Sequence, residues 1–335
     1  MLQTNICQWC GEKAVFKTIQ KGYQEPEKFK IFHCSSCNTS FSMPRVNSDG
    51  IYELIYKNTK NVRGYCRYFQ YKSEVLKQSN PLMYLANSEP SYWGPVYALK
   101  SILKTNKTAR ILEVGSGLGY YTYSFKKAGY NIQGLEISHE AVKEATKLYG
   151  DFFICDDLYN YADKNRECYD VIIMTEVIEH LSDPKGFINS VKLLLKRQGN
   201  CIITTPNKSF YPKETAWFSD APPVHCWWFS EESIEYIANL YNMELNFVDY
   251  SKFYKKHPQI YQIKNIESEG QHVFDQYGNL IKPEISIRKF KIHKWIKRNK
   301  QYMLIRNSII QLKYPNVYKK GNKESNIICA ILTKN

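Results

Sequence analysis

The chain has 335 residues, 43% of them hydrophobic, and a net charge of +14. That apolar content sustains a large core, yet no run approaches the ~18 consecutive apolar residues of a membrane span. The opening stretch MLQTNICQWC lacks the basic and then apolar regions of a secretory leader, so a cytoplasmic protein is expected.

The first elements are two cysteine knuckles. Cys7-x-x-Cys10 and Cys34-x-x-Cys37 flank 23 residues that include Phe16, Ile19, Phe29 and Ile31. Facing knuckles of this spacing predict a four-thiolate zinc site on a β-ribbon over residues 1–44. With all four positions filled by protein, the metal is structural and supplies most of the ribbon's stability. Charges nearly balance within the ribbon, which favours a cap on the neighbouring domain over a grip on nucleic acid. The other six cysteines are scattered, as expected of reduced thiols.

Residues 45–106 are rich in aromatics: Tyr52, Tyr56, Tyr65, Tyr68, Phe69, Tyr71, Tyr84, Tyr92, Trp93 and Tyr97. They read as helices that lead into the next domain and close over its mouth. These rings either line a site for a sugar or an aromatic ring, or pack the ribbon against the domain.

From Thr108 strand and helix signals alternate, which predicts a parallel sheet covered on both faces. Strands are expected near 110–114, 131–136, 152–155, 170–174 and 200–204, with helices near 120–128, 138–149, 184–196 and 230–241. Further strands near 244–250 and 326–332 complete seven. The domain then spans 107–250, with 251–325 inserted before a final strand in 326–335. Between the first strand and the first helix stand Gly115, Gly117 and Gly119, where a ligand can lie against bare peptide at a helix N-terminus. Glu113 precedes the loop, and the second strand delivers Glu136 to its C-terminal edge.

The segment from Ile111 to Ser138 resembles the cofactor site of class I S-adenosylmethionine (SAM)-dependent methyltransferases. The resemblance implies a seven-stranded Rossmann-like sheet whose sixth and seventh strands form an antiparallel pair. It also implies that Gly115, Ser116, Gly117 and Gly119 border the methionine part of SAM, that Glu113 lies near its amino group, and that Glu136 binds its ribose. Asp156 or Asp157 would hold the adenine amino group, the other capping the following helix, and Thr175 would close the pocket at the fourth strand.

After the fourth strand comes TEVIEHLSDP, in which Glu176, Glu179 and His180 stand at i, i+3 and i+4, on one face if the turn is helical. The (N/D)PP(Y/F) box of many N-methyltransferases is absent. The ExxEH pattern is similar to O-methyltransferases of ubiquinone biosynthesis and to those acting on the terminal 2′-hydroxyl of small RNAs. In both, the carboxylates and histidine bind a divalent ion, and the RNA family adds a later histidine. Here PPVHCWWFS brings His225 to a comparable place. By that resemblance Glu176, Glu179, His180 and His225 form a second site for Mg²⁺, Mn²⁺ or Zn²⁺. Without metal, His180 or His225 is the general base.

Residues 285–323 hold twelve Lys or Arg and no Asp or Glu. Ile287, Phe290, Ile292, Trp295 and Ile296 alternate with lysines there, as in a helix suited to anionic lipid at the inner face of a membrane or to a phosphate backbone. The ribbon, the aromatic segment, the SAM core and a PPxHxxxFS segment together look like bacterial methyltransferases of surface polysaccharides and sugar nucleotides. The expected activity is SAM-dependent O-methylation of a carbohydrate hydroxyl, on a nucleotide- or lipid-linked sugar or a surface glycan, with phosphate on the acceptor matching the basic stretch. The alternatives are an RNA 2′-O-methyltransferase, a sugar C-methyltransferase, and a non-enzymatic adaptor with a vestigial SAM fold. The seventh strand at the chain end weighs against C-methylation, and the intact glycines and Glu136 against the adaptor.

Overall fold

The computed structural model describes residues 4–46, 49–62, 64–210, 221–257, 272–281, 300–313 and 325–335. Strands β1 (Thr4–Ile6), β2 (Lys13–Lys21), β3 (Lys28–Cys34) and β4 (Thr39–Met43) form an antiparallel meander. In β3, exposed Lys28 and Lys30 alternate with buried Phe29 and Ile31, the period-two pattern of a strand, and further on Phe32 of the opposite face is buried as well. The meander gains a fifth strand from far downstream. In β10 (Trp227–Trp228), Trp227 lies opposite Phe41 and Trp228 opposite Ser40. Two residues are too few to show an alternation, so the sequence carried no signal for this pairing.

Helices α1 (Asp49–Lys57), α2 (Cys66–Glu74), α3 (Pro81–Ala86) and α4 (Pro90–Leu103) follow. Asn80 caps α3 by accepting the Met83 N–H, with Pro81 at the first helical position, where a missing N–H costs nothing.

The second sheet has seven strands, in the order β11-β12-β9-β8-β5-β6-β7. They are β5 (Ile111–Val114), β6 (Ile132–Glu136), β7 (Phe153–Cys155), β8 (Tyr169–Thr175), β9 (Leu195–Pro206), β11 (Met243–Phe247) and β12 (Ile327–Lys334). β5 to β9 run parallel, whereas β12 is antiparallel to both β9 and β11. Helices α5 (Tyr120–Lys127), α6 (His139–Tyr149), α7 (Leu158–Lys164), α8 (Pro184–Leu194) and α9 (Glu231–Leu240) connect them. This is the seven-stranded Rossmann-like sheet of class I methyltransferases. The sequence marks helix α7 only through its cap at Asp156 or Asp157, because its seven residues are too few to establish a helical period.

Each strand's alternate residues feed a different core. Val171 and Ile173 of β8 join the tyrosine-rich helices α2 to α5, whereas Ile172 and Met174 join α7, α8 and α9. The second core also contains Trp9, Phe32, Phe41 and Trp227, so the cysteine ribbon shares one apolar interior with the large sheet.

Between β11 and β12 the described residues include α10 (Ser251–Lys256) and α11 (Lys300–Lys313). Ile287, Phe290, Ile292, Trp295 and Ile296, and most of the basic residues of 285–323, lie outside the described residues. No helix among the described residues is long and apolar enough to cross a membrane.

Candidate active site

Two constructions meet above the C-terminal ends of the central parallel strands. The first is the glycine loop. Gly119 has φ +76°, and a Cβ there would fall 2.6 Å from the Ala145 Cβ and 2.7 Å from the Phe153 ring, so this glycine lets α5 close onto the sheet. Gly117 has φ +52° and nothing within 4 Å of its would-be Cβ, which leaves open space beside the peptide.

Glu136 is fixed at the rim of that space. One carboxylate oxygen accepts the Gly117 N–H at 2.9 Å and the other the Ser138 N–H at 3.0 Å. Asp157 is the helix cap: its side chain accepts the N–H groups of Tyr159 and Asn160 at the start of α7, leaving half-buried Asp156 beside it. Glu113 is 4% exposed and accepts from Thr122 Oγ1 of α5, so it visibly ties the strand to the helix beneath the loop. Burial pushes its pKa up to about 8, against the lowering effect of the Thr122 bond, and the nearby Glu136 charge adds to the rise.

The Ser116 and Thr175 hydroxyls are buried and have no hydrogen-bond partner among the described residues. A buried hydroxyl left unmatched costs free energy, so both suit a polar ligand. An open peptide, a positioned carboxylate and two orphaned hydroxyls fit the methionine and ribose parts of SAM.

The second construction gathers Glu179, His180 and His225, each offering one ligand atom within 4.8 Å of the others. Glu176 is not part of that group, so the expected common face of Glu176, Glu179 and His180 does not form. The reason is local. Only Ile178–His180 make a turn, a 3₁₀ one, and Glu176 sits before it in the left-handed region at φ +57°. Such a backbone on a non-glycine residue is strained, and strain of this kind collects at functional sites.

His180 is oriented through its Nδ1, which lies 2.7 Å from the Val224 carbonyl oxygen and 3.1 Å from the Tyr52 hydroxyl. A carbonyl only accepts, so Nδ1 carries the proton and Nε2 presents a lone pair. That Nε2 is 3.9 Å from a Glu179 carboxylate oxygen, and the His180 and His225 rings stand 4.5 Å apart at 86°. Glu179 is 1% exposed, and its other oxygen accepts from Thr205 Oγ1 at 2.9 Å. A carboxylate this deep calls for a cation, either an imidazolium or a metal ion. A histidine that donates one ring N–H to a backbone carbonyl and offers the other nitrogen is equally the geometry of a metal ligand.

The tyrosines divide. Tyr52 reaches His180, and Tyr68 lies close enough to Glu176 for that charge to affect it. Burial is the chief cause that raises the pKa values of Tyr52 and Tyr65, and those of Tyr56 and Tyr68 to about 12. These phenols therefore stay neutral donors and cannot act as bases near neutral pH. Tyr71, Tyr92, Tyr120 and Tyr121 pack against one another over the first turn of α5, and Trp93 stacks on Tyr97. Those rings are packing.

The four ribbon cysteines also converge, with Cys7 and Cys37 sulfurs 3.5 Å apart and Cys10 and Cys34 sulfurs 3.3 Å apart. Mutual hydrogen bonding pushes the Cys7 thiol up and holds the Cys37 thiol down. Four cysteine sulfurs this close offer a tetrahedral donor set that fits a zinc ion, which would hold them as thiolates. Sequence gave no sign of Tyr52, Thr205 or the Val224 carbonyl as partners of the Glu179 and His180 side chains, because each is brought there by the fold.

A methyltransferase-domain family model matches residues 95–271, 177 of the 335. Among curated proteins the chain is similar to the ubiquinone biosynthesis O-methyltransferase of Actinobacillus pleuropneumoniae serotype 7 (strain AP76), 32% identical over 109 residues, 30% of this chain and 47% of that protein. The corresponding protein of Vibrio atlanticus (strain LGP32) is 29% identical over 109 residues, 30% of this chain and 45% of its own. The chain thus spans less than half the length of these curated relatives. Among solved structures, a SAM-dependent methyltransferase from Archaeoglobus fulgidus matches with a TM-score of 0.42 and 15% identity over 71% of this chain and 92% of that one.

Proposed function

The chain belongs to the methyltransferase-domain family, and from that premise we propose that it transfers a methyl group from SAM to a hydroxyl oxygen of a carbohydrate. SAM, when bound, supplies a methyl group already made electrophilic by its sulfonium. The observation that carries the reading is the His180 ring, held by the Val224 carbonyl so that Nε2 faces the space shared with Glu179 and His225. His180 takes the proton of the attacking hydroxyl, and buried Glu179 stabilises the imidazolium that results. Glu179, His180 and His225 would also hold a divalent ion, which would acidify the acceptor hydroxyl. Neutral phenols near the mouth, Tyr52 foremost, offer hydrogen bonds and flat apolar faces to a hydroxyl-rich ring.

The insertion also supports this choice of acceptor class. On α11, Tyr302, Ile305, Ile309 and Leu312 recur at helical spacing and are 48%, 62%, 57% and 82% exposed. An apolar stripe within a stretch of twelve cationic residues matches an anionic bilayer better than a phosphate backbone, which has no use for isoleucine and leucine. We place the enzyme on the inner membrane face with a lipid- or nucleotide-linked sugar as acceptor.

The test is mass spectrometry of sugar nucleotides, lipid-linked sugars and RNA oligonucleotides incubated with SAM, using the wild-type chain and His180→Ala. A mass gain of one methyl on a sugar acceptor, lost in the variant, is expected. Methylation of RNA alone overturns the carbohydrate reading. Glu179→Gln, which leaves the cysteine centre untouched, separates the metal role from the base role: restored turnover on adding Mn²⁺ assigns a metal.

A further inference from the structure

We propose that the cysteine ribbon is the positioning device for the histidine edge, with Trp9 and Arg45 as its two positioning residues. This rests on reading Glu179, His180 and His225 as the reacting group. Residues 221–230, which carry His225 and the Val224 carbonyl, have only the two-residue strand β10 as regular structure, so their shape is set by what grips them.

On one side the grip is the ribbon. Beyond the β10 ladder on β4, the Ser42 N–H donates to the Cys226 carbonyl at 3.0 Å. Trp9 stands inside the first knuckle, between Cys7 and Cys10, and meets Trp227 edge-on at 6.0 Å and Phe229 at 6.2 Å. The Arg45 guanidinium lies 3.9 Å over the Trp227 ring and donates to the Cys226 carbonyl at 3.5 Å. Asn38, next to Cys37, donates to Ser230 Oγ at 2.9 Å and accepts from Ser233 Oγ at 2.6 Å.

On the other side the grip is the reacting turn itself. The Cys226 N–H donates to the Glu179 carbonyl at 2.8 Å, Trp227 Nε1 donates to the Leu181 carbonyl at 2.8 Å, and Val224 accepts from His180. Cys226 and Trp227 thus touch both the cysteine ribbon and the turn that carries Glu179 and His180, with Val224 next to them holding His180. A register held by the knuckle sets where His225 sits and which His180 nitrogen bears the proton.

The experiment uses the full chain with its cysteine centre loaded with zinc, labelled with ¹⁵N-histidine. Long-range NMR correlations report the His180 tautomer, calorimetry reports SAM affinity, and turnover is followed against pH. In Trp9→Ala and Arg45→Ala we expect His180 to lose its single Nδ1–H tautomer and turnover to fall at least tenfold with a shifted pH profile. SAM affinity should stay within twofold, and Trp9→Phe should restore the wild-type tautomer. An unchanged tautomer and pH profile in both alanine variants overturns the proposal. So does failure of Trp9→Phe to rescue a folded, SAM-binding protein. Should either alanine variant not fold, Arg45→Gln replaces it, judged by the same tautomer criterion. If no acceptor is turned over by the wild type, the activity reading fails, while tautomer and SAM affinity still decide this one.

Discussion

The glycine-loop edge and the histidine edge lie on the same rim of one sheet but are assembled differently. The loop edge is made within 45 consecutive residues, from β5 through β7, by strands, turns and helices that are neighbours in the chain. The histidine edge joins residues 179–180 to 224–225 and to Tyr52, across sequence separations of 44 and 128 residues, with a zinc-type ribbon as its outer wall. Local construction makes a site that survives in many contexts. Construction by convergence makes one that depends on packing elsewhere.

That contrast predicts that substitutions on the two edges move different observables. The largest effect is expected at His180. Replacement by alanine should lower turnover by roughly 10²- to 10⁴-fold, the range for loss of a positioned acid–base group, with SAM affinity by calorimetry unchanged. A parallel loss of SAM affinity would merge the two edges into one. Next, Gly119→Ala should destabilise the fold by about 2–4 kcal/mol in urea unfolding, because it combines a left-handed backbone with contact against Ala145 and Phe153. Gly117→Ala, facing open space, should instead show its main effect in SAM binding.

Glu136→Ala should weaken SAM affinity by about 1–3 kcal/mol without touching the His180 tautomer, since the loss is of hydrogen bonds to a charged group. The last prediction is a pH dependence of stability. The folded pKa of Glu113, about 8, lies above its ordinary 4.5, so the folded chain keeps a proton that the unfolded chain has lost. Its stabilising contribution is complete below pH 4.5 and drains away as pH rises toward 8. Glu113→Gln should flatten that slope in unfolding curves at pH 5 and 8.5. An identical slope in the variant would remove Glu113 as its source.

Much of this was legible beforehand because hydrophobic runs and caps are local signals. Ser138 and Ser230 were read as caps, and each accepts the N–H three residues on. The seven strands follow from apolar runs bounded by polar turns, and the antiparallel pairing of the last two from the family resemblance. Strand β10 escaped, being too short to show a period, and α7, nearly as short, showed only through its cap. The reading of Glu176, Glu179 and His180 as one face assumed a regular helix, which the left-handed backbone at Glu176 breaks.

By itself the sequence determined the sheet, the glycine loop, the acid at 136 and the two knuckles. Each rests on residues close in the chain, whose preferences need no distant partner. Only the tertiary structure decided that Asp157 caps while Asp156 lies beside it, that Glu179 and His180 converge with His225, and that the ribbon grips the segment carrying His225. Those outcomes hang on hydrogen bonds and ring contacts between elements far apart in sequence, and no spacing rule along one strand of residues encodes where two remote surfaces will touch.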